Sequence, residues 1–214
     1  MNVKIISFPL IVFFILVISV STFSQQVDLK VEFYDFIYAY SGDYVSIVGK
    51  LANTGVKNYK DITILVKLYD NNNQIISLEK IVVPYILAKE NRYFKKMSPK
   101  NMGIEHSTIE ITDFSVLTEN VCNEKISVSK IKNYKYETKF REYLAVEGVL
   151  MNNSDNFLSN VRIDAIFLDE DGLIIDLNSN IISSLLPYKC SSFKISSPYV
   201  DKIHQWLFQI TCFE

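Results

Sequence analysis

Cysteine, glycine, proline and histidine are all scarce in this chain of 214 residues, which holds 3 Cys, 6 Gly, 5 Pro and 2 His. Three cysteines cannot build the bridged scaffold of a small disulfide-rich secreted domain. Six glycines leave no room for phosphate or dinucleotide loops, and no G-x-S-x-G elbow occurs. An excess of one charge is lacking too. The 22 Lys+Arg stand against 24 Asp+Glu for a net charge of −2, which is not the strong basic balance of a dedicated nucleic-acid binder. What is abundant is apolar and aromatic: 49% hydrophobic residues and 13% Phe, Tyr and Trp, too much for a disordered chain.

The one long apolar run is at the start. Met1-Asn2-Val3-Lys4 precedes an apolar stretch over 5–20, followed by polar Ser21-Thr22-Phe23-Ser24-Gln25-Gln26. A basic start, a short apolar stretch and a small-residue exit are the parts of a secretory signal peptide. Thr22 and Ser24 place the cut before Gln25, so 1–24 is the expected leader. The expected location is secreted or periplasmic, with no stable membrane insertion after cleavage. The alternative is a membrane anchor through uncleaved residues 5–20, a stretch short of the ~20 residues a span needs.

Sliding the chain over itself by 99 positions (148 − 49) is the most informative comparison. Gly49, Leu51 and Asn53 fall on Gly148, Leu150 and Asn152. Without a gap, Ile64, Asp70, Ile75, Leu78 and Phe94 fall on Ile163, Asp169, Ile174, Leu177 and Phe193, and Ser98-Pro99 meets Ser197-Pro198. One unit is written twice. The expected domains are 26–115 and 125–214, joined by a linker over 116–124.

Inside each unit the apolar period is two. Ile62, Ile64, Val66 and Leu68 alternate with Thr63, Leu65, Lys67 and Tyr69. Val161, Ile163, Ala165 and Phe167 alternate with Arg162, Asp164, Ile166 and Leu168. One set of each belongs on a core face and the other outward. Turn signals at Asn53-Thr54-Gly55, Asn71-Asn72-Asn73, Asn152-Asn153-Ser154 and Asp171-Gly172 separate the runs. Strands are expected over 27–39, 44–53, 61–70, 74–83, 91–98 and 107–116, and again 99 residues later. Short strands at regular spacing read as an all-β protein of two tandem β-sandwich domains. Asp70 and Asp169 are expected to bond their own turns, and Asn53 and Asn152 to take the left-handed backbone that ends a strand.

The pieces G-K-L-A-N-T-G, V-K-L-Y-D and L-A-K-E-N-R-Y-F of the first unit match G-V-L-M-N-N-S, A-I-F-L-D and L-L-P-Y-K-C-S-S-F of the second. This pattern resembles the FxLYD domain family of prokaryotic exported proteins. The chain departs from it at Val66 and Ala165, where the name motif has Phe, and at Leu168, where it has Tyr. The family's Pro-Gly step is Ala88-Lys89 and Pro187-Tyr188 here. The resemblance implies an immunoglobulin-like sandwich and a non-enzymatic, extracytoplasmic accessory role, and it implies no substrate.

Few residues here could do chemistry. Asp169-Glu170-Asp171-Gly172 is either a cation loop or an acidic hairpin turn. It lacks the further oxygens and distal Glu of a calcium loop, and no metal ligand is assigned. His106 and His204 differ by 98, one position out of the repeat register, and form no ligand spacing. Asn152-Asn153-Ser154 is either a glycosylation acceptor or a plain turn. Cys190 and Cys212 both lie in the second unit, opposite Asn91 and Asp113 of the first. Their joint appearance in one domain points to a disulfide between them, with two free thiols the other reading. Cys122 is then left over for an intermolecular bridge or a free thiol. In the opening strand Tyr34, Tyr38 and Tyr40 are candidate recognition aromatics for a sugar or a partner protein. Packing on the neighbouring domain is the other reading. Tyr134, Tyr136, Phe140 and Tyr143 echo them.

These observations give an exported, non-enzymatic protein without a catalytic residue or cofactor, serving a binding, spacer or structural role toward a protein or glycan partner. Nucleic acid is not an expected partner, and the oligomeric state is open. The second reading is an accessory envelope enzyme whose carboxylates come together only in the fold.

Overall fold

Alternation of period two becomes twelve antiparallel strands. They are β1 (Leu29–Tyr38), β2 (Tyr44–Asn53), β3 (Tyr59–Tyr69), β4 (Ile75–Ile86), β5 (Asn91–Pro99) and β6 (His106–Val116). The second unit has β7 (Ile126–Glu137), β8 (Glu142–Asn152), β9 (Leu158–Leu168), β10 (Ile174–Leu185), β11 (Cys190–Ser197) and β12 (Gln205–Thr211). The computed structural model describes residues 28–38, 44–99 and 103–212. The expected leader over 1–24 and Tyr40 lie outside them. Each unit is a sandwich of two three-stranded sheets, β1-β2-β5 on β4-β3-β6 and β7-β8-β11 on β10-β9-β12. These orders follow the A-B-E and C′-C-F strands of an immunoglobulin-like sandwich. β4 and β10 run three residues beyond the expected ends because Ile86 and Leu185 fill inward places in the two cores.

The duplication extends to the backbone. Left-handed residues recur at Asp61 and Asn160, Asn73 and Gly172, and Lys89 and Tyr188, each pair 99 apart. Asp70 Oδ1 accepts the amides of Asn72 and Gln74 at 2.9 and 2.8 Å. Asp169 does the same for Asp171 and Leu173 at 3.0 and 2.8 Å. Both aspartates therefore close their turns as their place at the strand end requires. Asn53 and Asn152 behave differently from expectation, since neither has a positive φ. Their buried amides act as rivets. Asn53 Nδ2 donates to the carbonyls of Lys57 and Leu87 at 2.7 and 2.9 Å while Oδ1 accepts from Gly55 N at 3.0 Å. Asn152 repeats this with Asn156 O, Leu185 O and Ser154 N. Its nitrogen is thereby taken out of reach of glycosylation.

Gly49 and Gly148 sit beneath the rings of Phe94 and Phe193. A methyl group on Gly49 would overlap the Phe94 ring and lie 2.8 Å from the Phe33 carbonyl oxygen. On Gly148 it would lie 2.8 Å from Phe193 Cζ and 3.2 Å from Ser129 O. The Gly and Phe of the repeated motif are thus one packing device. Gly148→Ala is expected to cost about 1–3 kcal/mol by overpacking, read as a lower urea midpoint at unchanged slope. A variant as stable as the parent would show that the ring has room to move.

Each sandwich has its own core. Ile47, Leu51, Ile62, Ile64, Val66, Leu68 and Phe94 anchor the first, and Val146, Leu150, Val161, Ile163, Phe167 and Phe193 the second. A third cluster lies between the units, where Val48, Phe33, Ile37 and Tyr93 of the β1-β2-β5 face meet Ile166, Leu168, Ile174 and Leu177 of the β9-β10 face. β9 is therefore buried on both sides. Asp164, Ile166 and Leu168, the expected outward set, lie under the first domain rather than in solvent. The equivalent Leu65, Lys67 and Tyr69 of β3 have no such cover and remain half-exposed.

The disulfide differs from the expected one. Cys122 bonds Cys212, with Cα atoms 5.4 Å apart, and Cys190 is an exposed free thiol at the start of β11. Register logic compares only residues inside the two units and passes over the connecting segment. That segment is part of the fold. Leu117 is buried and donates its amide to Asn58 O at 2.9 Å, and Cys122 is buried against the end of β12.

Candidate functional site

The two faces that meet inside the molecule have counterparts that do not. The β7-β8-β11 face of the second domain corresponds to the face through which the first domain docks. Here the docking residues have been exchanged, with Glu147 at the place of Val48 and Ser192 at that of Tyr93, while Lys132 pairs with Glu147 where Asp35 pairs with Val48. Two apolar or aromatic anchors have become one charge and one small polar side chain, and no domain covers them.

The exchange leaves a hollow of about 630 Å³ whose lining includes Lys130, Lys132, Glu147, Val149, Ser192 and Lys194. Its rim is shaped by a bulge in β7. Pairing with β8 jumps from Ser129 to Lys132, and Lys130 takes a φ of 52°. A bulge of this kind bends the edge strand and re-aims its side chains. Beyond the hollow, Tyr134, Tyr136 and Tyr143 form an aromatic row. Tyr136 stacks on Tyr143 with centroids 5.3 Å apart, and the Lys194 ammonium lies 4.2 Å from the Tyr136 centroid and 5.1 Å from that of Tyr134. The Tyr134 hydroxyl donates to Glu147 Oε2 at 3.1 Å, and that of Tyr136 to Ser196 Oγ at 3.2 Å. The phenol oxygen of Tyr134 holds Lys194 above the ordinary lysine pKa. The face thus offers fixed cations, an acceptor and aromatic edges on a rigid sheet. Such a surface has the chemistry to hold charged and polar groups.

The structure relocates the expected aromatics. Tyr34 is turned inward against the first core, and its hydroxyl donates to Ser107 O at 3.1 Å. It fastens β1 to the opposite sheet. Tyr38 ends β1, and Tyr40 is outside the described residues. The echo in the second unit, not the opening strand, carries the exposed row. β1 is rich in aromatics because Tyr34 and Phe36 pack in the first core while Phe33 and Ile37 pack between the domains. Trp206 packs against the second core. His106 stacks on Tyr69 at 4.6 Å, and His204 is exposed.

Arg92 is the residue that sequence reasoning does not find. It is 1% exposed, and its Nη1 crosses the domain boundary to Ile210 O at 2.7 Å and Thr211 Oγ1 at 3.1 Å. Its buried Nε lies 2.9 Å from Glu90 Oε1 as an ion pair without hydrogen-bond geometry, and the guanidinium lies 4.5 Å over the Tyr85 ring. The Tyr85 hydroxyl donates to Asn123 Oδ1 and accepts the Cys212 amide at 3.1 Å. Burial pushes the Tyr85 phenol pKa up, with Arg92 pulling against it. Lys95 adds a bond to Asp176 at 2.7 Å, and Gln209 bonds the Tyr93 backbone on both sides. The one signal for Arg92 in the sequence is a cation two residues before Phe94, on the inward phase of β5.

No protein-family model matches the chain, and no curated protein matches it. Among solved structures it is similar to red sea bream transglutaminase, at 13% identity and a TM-score of 0.26, over 86% of this chain and 29% of that one. The chain therefore spans less than a third of that protein's length. Among the described residues no helix is long and apolar enough to cross a membrane.

Proposed function

We propose that the chain is an exported, non-enzymatic protein of two FxLYD-like sandwich modules, which presents the β7-β8-β11 face of the second module for recognition while the first module serves as its rigid mount. The observation that carries this reading is the exchange of docking residues for a lysine-rimmed, tyrosine-flanked hollow on that face. The commitment of other reactive groups to structure supports it. Asp70 and Asp169 hold turns, Asp176 holds Lys95 across the domain boundary, and Asp164 is tied to Arg162 at 2.6 Å. The segment 1–24 has the composition of a leader, which supports export.

A photo-crosslinking side chain at Ser192 or Lys132, in cells that export the protein, tests both halves. Adducts are expected from these two positions and not from Ser159 or Ser183 on remote strands. The exported protein is expected to begin at Gln25 by mass. Equal adducts at all four positions, or a retained leader, would overturn the corresponding half.

A further inference from the structure

The internal interface joins two different faces, so the same chain carries one unfilled partner of each kind. On the first domain, the β3-β4 face corresponds to the face that the second domain buries. Leu78 and Ile75 are 57% and 51% exposed there, whereas the identical residues Leu177 and Ile174 are 3% and 5% exposed inside the molecule. Exposed apolar side chains at places that the other copy buries between domains mark an interaction surface. On the second domain, the β7-β8-β11 face is the matching socket.

Superposing the internal interface on these free faces gives complementary pairs. Val48 and Ile166 share the interdomain cluster; their equivalents are Glu147 and Lys67, of opposite charge, with Lys67 already held by Glu110 of its own face at 2.7 Å. Lys95 bonds Asp176 and Asn178 at 2.7 and 3.2 Å; its equivalent Lys194 would face Ser77 and Glu79. Gln209 accepts the Tyr93 amide at 2.8 Å; the equivalent Glu110 can accept that of Ser192. Three positions of one face thus find chemical counterparts on the other. Ser191 stands where Arg92 does, so the buried pin is missing and the association is reversible.

Resting on the reading of the β7-β8-β11 face as the recognition surface, we infer that its partner is a second copy of this chain, docked through its β3-β4 face. The interface is heterologous, so copies add head to tail instead of closing as a two-fold dimer.

Sedimentation velocity of the exported protein across a concentration series tests this, together with exposed-surface variants that leave the cores intact. The parent is expected to gain mass with concentration beyond a dimer. Glu147→Lys and Lys67→Glu should each weaken association at least about tenfold, since each sets like charges against one another across the interface. The double variant should recover most of it. Leu78→Asp blocks the first-domain face alone, so Leu78→Asp and Glu147→Lys chains should each be monomeric and form only a dimer when mixed. A protein monomeric throughout, association indifferent to Glu147→Lys, or a mixture that stays monomeric would overturn the inference. An adduct of foreign mass at Ser192 with a monomeric parent would sink self-association while leaving the recognition face standing.

Discussion

Removing the Cys122–Cys212 bond is expected to destabilise the second sandwich by about 4–5 kcal/mol, more than half the stability of many domains of this size. The two cysteines are 90 residues apart, and the ring they close holds every strand of the second unit from β7 to β12. Cross-linking so long a loop removes entropy from the unfolded chain in proportion to the logarithm of its length, which gives that figure. Both residues are buried, so Cys122→Ala/Cys212→Ala is a cleaner test than adding reductant to the native protein. Urea unfolding followed by Trp206 fluorescence, whose ring packs on the second core, should show the loss. Cys190→Ser is the control, because that thiol is exposed and unbonded. A denatured thiol count of one before reduction in the parent, falling to none in Cys190→Ser, would confirm the pairing. An unchanged Trp206 midpoint in the double variant would refute the loop-closure account.

The repeat and the period-two pattern are readable because they depend on composition at fixed spacing. Shared Gly49/Gly148, Asn53/Asn152 and Asp70/Asp169 report backbone geometry, and geometry is what duplication preserves. What differs between the copies is harder to read. Ile166 and Leu168 look like the outer half of an alternating strand, and only a partner across the boundary makes them a second buried face. Cys122 lies in a segment with no counterpart to compare, so register logic passes over it in favour of Cys190. The aromatic row is visible in β7 but β1 holds the denser cluster, and density does not reveal that β1 is packed on both sides. Substitutions such as Val48 against Glu147 carry the difference between the two faces. Their meaning emerges only when one copy is docked and the other is not.

Arg92→Met is expected to cost about 3 kcal/mol and to uncouple the two domains. The side chain sits inside the boundary with its charge answered by Glu90, its Nη1 by the Ile210 carbonyl and Thr211, and its planar face by Tyr85. Methionine keeps most of the apolar stem, so the loss isolates the polar part: a buried carbonyl stripped of its principal donor and a carboxylate stripped of its cation. Arg92→Lys should recover less than half of it, since an ammonium cannot satisfy Glu90 and Ile210 in the plane that also stacks on Tyr85. Because the bonds to Ile210 and Thr211 lie between the units, and neither Glu90 nor Tyr85 belongs to an apolar core cluster, each sandwich should stay folded. The signature is therefore a single cooperative unfolding transition dividing into two, with a wider spread of interdomain angles by small-angle scattering. The molecule already contains the complementary case. At Ser191, the same place in the second unit, no guanidinium is present and no domain is docked, and the loss of the arginine accompanies the exchange of Val48 for Glu147 and of Tyr93 for Ser192. A variant lacking Arg92 that still unfolded as a single unit would locate the coupling in the apolar cluster around Val48 and Ile166 instead.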